Sequence, residues 1–195
     1  MPITIDGSGT ITGLSVGGLP DGSVSAADLA AGAARSNFGA GAVLQVLSAA
    51  KTDTFSTAST SFVDVTGLSV SITPTSASSK ILVLMDVKLG SDAFVSNFVR
   101  LVRNSTQIYV GDTAGSRTRA TYSNADDPST QWAYQGAGMF LDSPNTTAAT
   151  TYKVQMMSEP TPNTGTVYLN RAGEDLTTVD FARTASSITV MEIAA

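Results

Sequence analysis

Few residues in this chain have the types and spacing that chemistry needs. The adjacent carboxylates are Asp126/Asp127 and Glu174/Asp175. With Asp142 they would suit a calcium site or the acid pair of a glycosidase. Neither pair has the spacing of an EF-hand loop, and neighbours on a strand point apart. Both therefore read as solvated loop carboxylates, and Asp127-Pro128 as a turn. Trp132 and Tyr134 stand two apart, which puts them on one face of a strand. Such a pair can stack on a sugar ring, or it can fill a core or an interface. Arg117-Thr118-Arg119 offers two guanidiniums to an acidic group, in a polar segment that also holds Tyr122. The plainer reading there is a solvated loop or a salt bridge between subunits. Asn104-Ser105-Thr106 and Asn145-Thr146-Thr147 match the glycosylation acceptor but read as turns.

Histidine and cysteine are absent. Their absence removes Ser-His and Cys-His catalysis, disulfides and thiolate metal sites. No cofactor and no catalytic residue is expected. A net charge of −5 with scattered basic residues argues against binding nucleic acid. The start, MPITIDGSGTITG, lacks the basic and apolar regions of a signal peptide, and no apolar run reaches membrane-spanning length. Membrane insertion is not expected. The location expected is the cytosol, or a particle assembled there.

The elements that would carry these residues are strands. Hydrophobic residues make up 42% and charged ones only 14%, so Ser, Thr and Asn supply most of the polarity. Hydroxyl-rich surfaces suit sheets. The stretch Lys80–Gly90, KILVLMDVKLG, organises the rest. Ile81, Val83, Met85, Val87 and Leu89 share one face, and Leu82, Leu84, Asp86 and Lys88 share the other. A run apolar on both faces at one end predicts a central strand. Further strands are predicted at 43–47, 53–57, 61–65, 68–73, 94–103, 107–111, 131–141, 150–158, 165–170 and 187–193. Thr66-Gly67 reads as a turn, Asn104-Ser105-Thr106 as a hairpin, and 112–130 as a long polar loop. Short strands with turn signals between them predict an all-β, antiparallel, jelly-roll-like sandwich over residues 43–195.

The first 42 residues differ. Ile3, Ile5 and Ile11 alternate with polar residues around Asp6-Gly7-Ser8-Gly9, which predicts two short strands. Residues 1–22 read either as a loose terminus or as an anchor ordered by a partner, with Ile3, Ile5, Ile11 and Leu14 as its apolar contacts. Residues 25–36 read as a short helix capped by Ser25, with Ala26, Leu29, Ala30 and Ala33 on one face. That face can pack on copies of itself, forming a neck, or on the β-domain. Gly39-Ala40-Gly41-Ala42 is a hinge.

Several stretches also carry a resemblance. The lead ITIDGSGTITGLSVGGLPDGSV resembles the start of tail-fibre proteins of marine tailed phages. The stretch TDTFSTASTSFVDVTGLSVSITPTSASSKILVLMDV resembles the opening of a β-module found in cyanophage and roseophage-like virion proteins. TYKVQMMSE, GTVYLNRAGE and ASSITVMEIAA resemble that module's last strands. The resemblance implies a virion structural protein, a tail fibre or head fibre, and a homotrimer. Its partners would be a capsid or tail protein bound through residues 1–22, its own copies through Leu29, Ala30 and Ala33, and a host surface glycan. Trp132, Tyr134, Arg117, Arg119 and Tyr122 are the candidate contacts for that glycan. A capsid decoration protein and a glycan-binding module are the alternatives, and a carboxylate depolymerase is the enzymatic one.

Overall fold

Strand β6 (Lys80–Ser91) lies inside its sheet, bonded to neighbours along both edges. Ile81, Val83, Met85, Val87 and Leu89 are buried and their alternates half-buried, which is the predicted two-residue period. Each of these buried side chains is worth roughly 1.5–3 kcal/mol of transfer free energy. The structure is a computed structural model that describes residues 4–5, 11–12, 39–124, 129–160 and 165–195. The chain divides into two compact units, 1–38 and 39–195. In the first unit, β1 (Thr4–Ile5) and β2 (Ile11–Thr12) pair antiparallel, as the alternation around Asp6-Gly7-Ser8-Gly9 predicts. The helix expected at 25–36 lies outside the described residues.

The second unit is all-β. Its strands in order are β3 (Val43–Lys51), β4 (Phe55–Thr57), β5 (Val63–Ile72), β6, β7 (Asn97–Arg103), β8 (Thr106–Ile108), β9 (Tyr122–Asn124), β10 (Tyr134–Asp142), β11 (Thr150–Ser158), β12 (Val167–Leu169) and β13 (Ser186–Ile193). Every pairing is antiparallel. One sheet runs β3-β13-β6-β10, with β12 end to end with β13 and β4 beyond it. The other runs β5-β11-β7, with β8 and β9 end to end along β7. Counting each end-to-end set as one position, the eight positions fall in the order 1-8-3-6 and 2-7-4-5. That is a jelly roll, two sheets wound as a pair of Greek keys. Val65, Leu68, Val70, Ile72, Val99, Leu101, Tyr152, Val154 and Met156 of one sheet meet Val83, Met85, Val87, Ile188 and Val190 of the other.

The first and last strands of this unit are neighbours. Gly41 N–H donates to the Ala194 carbonyl at 2.8 Å, and Ala194 N–H donates to the Ala42 carbonyl at 2.8 Å. These bonds continue the β3–β13 ladder at its end.

Two expectations are corrected. Thr66-Gly67 is not a turn between strands. Ser69 pairs with Lys153 and Asp64 with Gln155, so residues 65–68 bulge opposite Val154 inside the single strand β5. Gly67 sits at φ +88°, a conformation that glycine adopts without Cβ strain. The segment 112–130 is not one continuous loop either. Tyr122–Asn124 pairs with Asn97–Val99 as β9, satisfying backbone groups that an isolated loop would leave to water. The hairpin at 104 holds, with a two-residue turn in which Asn104 sits at φ +53°.

Candidate functional site

The outward positions of the β3-β13-β6-β10 sheet form a grid, because antiparallel register aligns every second residue. One row reads Val46, Met191, Leu82, Leu141 across the four strands. The next reads Ser48, Thr189, Leu84, Met139, and the row on the other side begins Val43, Ile193, Lys80. Val43, Val46, Met139 and Leu141 are each more than half exposed. Ser48 and Thr189 satisfy each other at 2.8 Å. Beyond these rows the face turns polar. Asp86 Oδ1 accepts from Lys88 Nζ and from Gln135 Nε2. A groove of about 660 Å³ crosses this face between Leu84, Met139, Thr189 and Met191 and reaches Tyr109, whose ring stacks on Phe140 at 5.1 Å.

The outward face of the opposite sheet is built differently. Lys153 Nζ donates to Asp64 at 2.8 Å and Gln155 Nε2 to the same carboxylate at 2.6 Å. Those donors hold the Asp64 carboxyl below its ordinary range, Lys153 first. Arg100 Nε reaches Gln155 at 2.7 Å, and its guanidinium lies 4.0 Å over the Phe62 ring. Ser71 and Thr151 pair at 2.7 Å. This face is a polar carpet suited to water, whereas the β3-β13-β6-β10 face is largely apolar. A contiguous apolar patch on a sheet face is the usual mark of an interaction surface.

The residues picked from the sequence fall in separate places. Arg117, Arg119 and Tyr122 line one hollow of about 270 Å³, together with Gly111, Asp112 and Thr118. Arg117 is exposed, and Arg119 Nε donates to the Gly111 carbonyl at 2.6 Å. Neither guanidinium forms an ion pair among the described residues. Tyr122 packs its ring over Gly136 of the facing sheet, 2.7 Å from where a Cβ would stand, so much of it is structural. Trp132 lines a different hollow, of about 320 Å³, with Gln131, Asp180 and Phe181. The expected Trp132/Tyr134 strand face is corrected: Trp132 precedes β10 and is 60% exposed, while Tyr134 is half-buried within the strand. The Gln131-Trp132-Ala133 lead bonds into no ladder, so the two-residue period does not apply there.

Asp142 is engaged by two protein groups. It is buried, takes both carboxylate oxygens to Arg103 Nη1 at 2.8 and 2.7 Å, and accepts from the Tyr152 hydroxyl at 2.6 Å. Burial and this carboxylate push the Tyr152 phenol far above its ordinary value. Asp175 pairs with Arg171 and Arg183. Among the described residues no group of three or more acidic side chains could hold a metal ion, and no helix is long and apolar enough to cross a membrane. Ile3, Leu14, Leu29, Ala30, Ala33, Asp126, Asp127 and the side chains of Ile5 and Ile11 lie outside the described residues.

The apolar grid was not singled out from the sequence. Its signal was available: outward positions that should be polar are apolar in several strands at once, at Leu82/Leu84, Met139/Leu141 and Met191/Ile193.

No protein-family model matches the chain, and no curated protein matches it. Among solved structures it is similar to a chain of the infectious bursal disease virus Gt strain, with a TM-score of 0.42 and 14% identity over 77% of this chain and 42% of that one. It is also similar to VP2 of the infectious bursal disease virus subviral particle, with a TM-score of 0.39 and 11% identity over 77% of this chain and 38% of that one. The chain spans about two fifths of the length of these neighbours. Similarity at this level adds nothing to the fold read from the strand order.

Proposed function

We propose that the chain is a structural protein of a virion, a short appendage of a tailed phage. Residues 1–22 attach it to the particle, residues 23–42 form a helical neck and hinge, the neck joining three copies, and the jelly roll is the head that meets the host. The observation that carries this reading is where the phage-like stretches fall. TDTF…LMDV covers β4, β5 and most of β6, and the three later stretches cover β11, β12 and β13. The resemblance thus lies on the framework strands of both sheets and not on one loop. Host contact falls to the Arg117/Arg119 hollow, whose guanidiniums form no ion pair among the described residues and suit the acidic groups of a surface glycan.

The reading is tested by deleting residues 1–22 and following the chain on gradient-purified particles. The expected result is a folded, soluble head that no longer sediments with them. Continued incorporation would overturn the anchor assignment. Imaging of labelled particles then separates a tail fibre from a head fibre or capsid decoration protein.

A second reading, a glycan-binding module, is favoured by one observation, the exposed Trp132 ring beside Phe181. Such a ring can stack on the apolar face of a sugar. Glycan-array binding that is lost in Trp132→Ala supports it, and unchanged binding removes that site.

A further inference from the structure

We propose that the β3-β13-β6-β10 face is a self-association surface, on which a second copy of this chain packs across a two-fold axis. The proposal goes beyond the virion reading and does not depend on it. Strand β6 is apolar on both faces over residues 81–85, yet a two-layer sandwich covers only one of them. Leu82 and Leu84 are half-buried, and beside them in the same rows Val46, Met139 and Leu141 are each more than half exposed. Four strands about 4.8 Å apart and nine residues of β6 at about 3.4 Å give a face of roughly 19 by 30 Å, on the order of 600 Å². A standard interface takes about 800 Å² from each partner, so this face with its rim is large enough to hold one.

The charges on β6 select the occupant. Reading outward positions along the strand gives Lys80, Leu82, Leu84, Asp86. A two-fold axis lying across the strands, midway between Leu82 and Leu84, stacks two such faces with β6 antiparallel to itself. Lys80 then stands over Asp86 of the second copy, Leu82 over its Leu84, and the reverse holds by symmetry. In the flanking column Leu141 stands over the second copy's Met139. Lys80 donates to Ser143 Oγ at 2.9 Å and forms no ion pair among the described residues. Among the described residues Asp86 uses only Oδ1, leaving Oδ2 for a donor from a second copy. Stacked sheets lie about 10 Å apart and within about 30° of alignment, and an inner strand such as β6 is displaced least by that rotation.

A face that meets itself gives an even number of copies. The full chain should therefore have the mass of two protomers, or of six if a three-fold neck adds to the pairing. One or three protomers would overturn the proposal, and three would leave the neck reading intact. Lys80→Glu and Asp86→Lys each place like charges opposite one another, so each should weaken pairing about tenfold or more and halve the mass at intermediate concentration. Mixed, the two variants are complementary and should pair again, which a misfolded variant would not do. Even-numbered mass unchanged in both single variants would overturn the pairing. The chain has no native cysteine, so Met139→Cys can be labelled cleanly against Ser71→Cys on the other sheet. Slower labelling at 139 that disappears on dilution supports the proposal. Slow labelling at monomeric mass would mean that the chain covers its own face, and would overturn it.

Discussion

Replacing Asp142 by Ala should be among the most damaging single changes in the head. The carboxylate sits at the end of β10, 5% exposed, and holds two groups of different burial. The Tyr152 hydroxyl donates to it at 2.6 Å from a residue with no exposed surface. Without Asp142 that hydroxyl is a buried orphan, which costs about 1–3 kcal/mol. The Arg103 guanidinium loses both carboxylate oxygens, but its side chain is 25% exposed and partly rehydrates. That part is discounted to about 1 kcal/mol for solvent screening. The sum, about 2–4 kcal/mol, overlaps the ~3–5 kcal/mol for breaking a buried pair and is a large share of a domain's stability. Urea denaturation gives the loss as a shift of the midpoint at constant slope. Tyr152→Phe should cost only about 1–1.5 kcal/mol, because Asp142 keeps Arg103. The double variant should cost about 1–2 kcal/mol less than the sum, because no phenol is then stranded. A cost below ~1 kcal/mol for Asp142→Ala, or strict additivity with Tyr152→Phe, would refute the network as the source of stability.

Three other outcomes follow from the same geometry. Asn170 is buried at φ +64°, donates to the carbonyls of Lys51 and Asp53, and accepts from Ser186 Oγ, so Asn170→Ala should cost about 2–4 kcal/mol by thermal or urea melting. Gly90→Ala would set a Cβ 2.4 Å from the Arg171 carbonyl, a backbone atom, and should destabilise by about 2 kcal/mol or more, with the 170–173 segment displaced in amide spectra. Stability should be flat across neutral pH and fall at both ends. Burial pushes the Glu192 carboxyl up, but bonds from Thr75 and Gln45 outweigh it and leave it below its ordinary 4.5. Its contribution is therefore present above pH ~4.5 and lost as pH falls through the lower folded value, an acid limb that Glu192→Gln should flatten. Tyr152 is shifted upward, so its contribution is full below pH ~10 and declines above it, a limb that Tyr152→Phe should shorten.

What the sequence made legible was periodicity. The alternation in KILVLMDVKLG placed β6 and its buried face correctly, because a two-residue period is a local property that burial enforces. The all-β sandwich followed from many such segments. Chemistry that depends on distant partners was not legible. Asp142 looked like a spare carboxylate until β7 and β11 brought Arg103 and Tyr152 to it from 39 and 10 residues away. Gly67 looked like a turn, because a glycine after Thr reads the same in a turn and in a bulge. Which is formed depends on whether β11 continues to pair past it. Trp132 and Tyr134 share a face only where both lie within the strand, and β10 begins at Tyr134. The second apolar side of β6 was visible as a pattern, but a pattern of burial does not say whose atoms do the burying.

The pairing of the unit's first strand with its last has a mechanical consequence. The β3–β13 ladder holds seven residue pairs in one register and an eighth, Val43 with Ile193, beyond a bulge, and the bonds at Gly41, Ala42 and Ala194 close its end. A pull on the backbone at Gly41, resisted at the opposite tip of the head, runs parallel to that ladder. The crossbars are then strained in shear, all together, and do not peel one after another. Drag on the tip would thus be spread over the whole seam, and rupture would require the sheet to slip by an entire register.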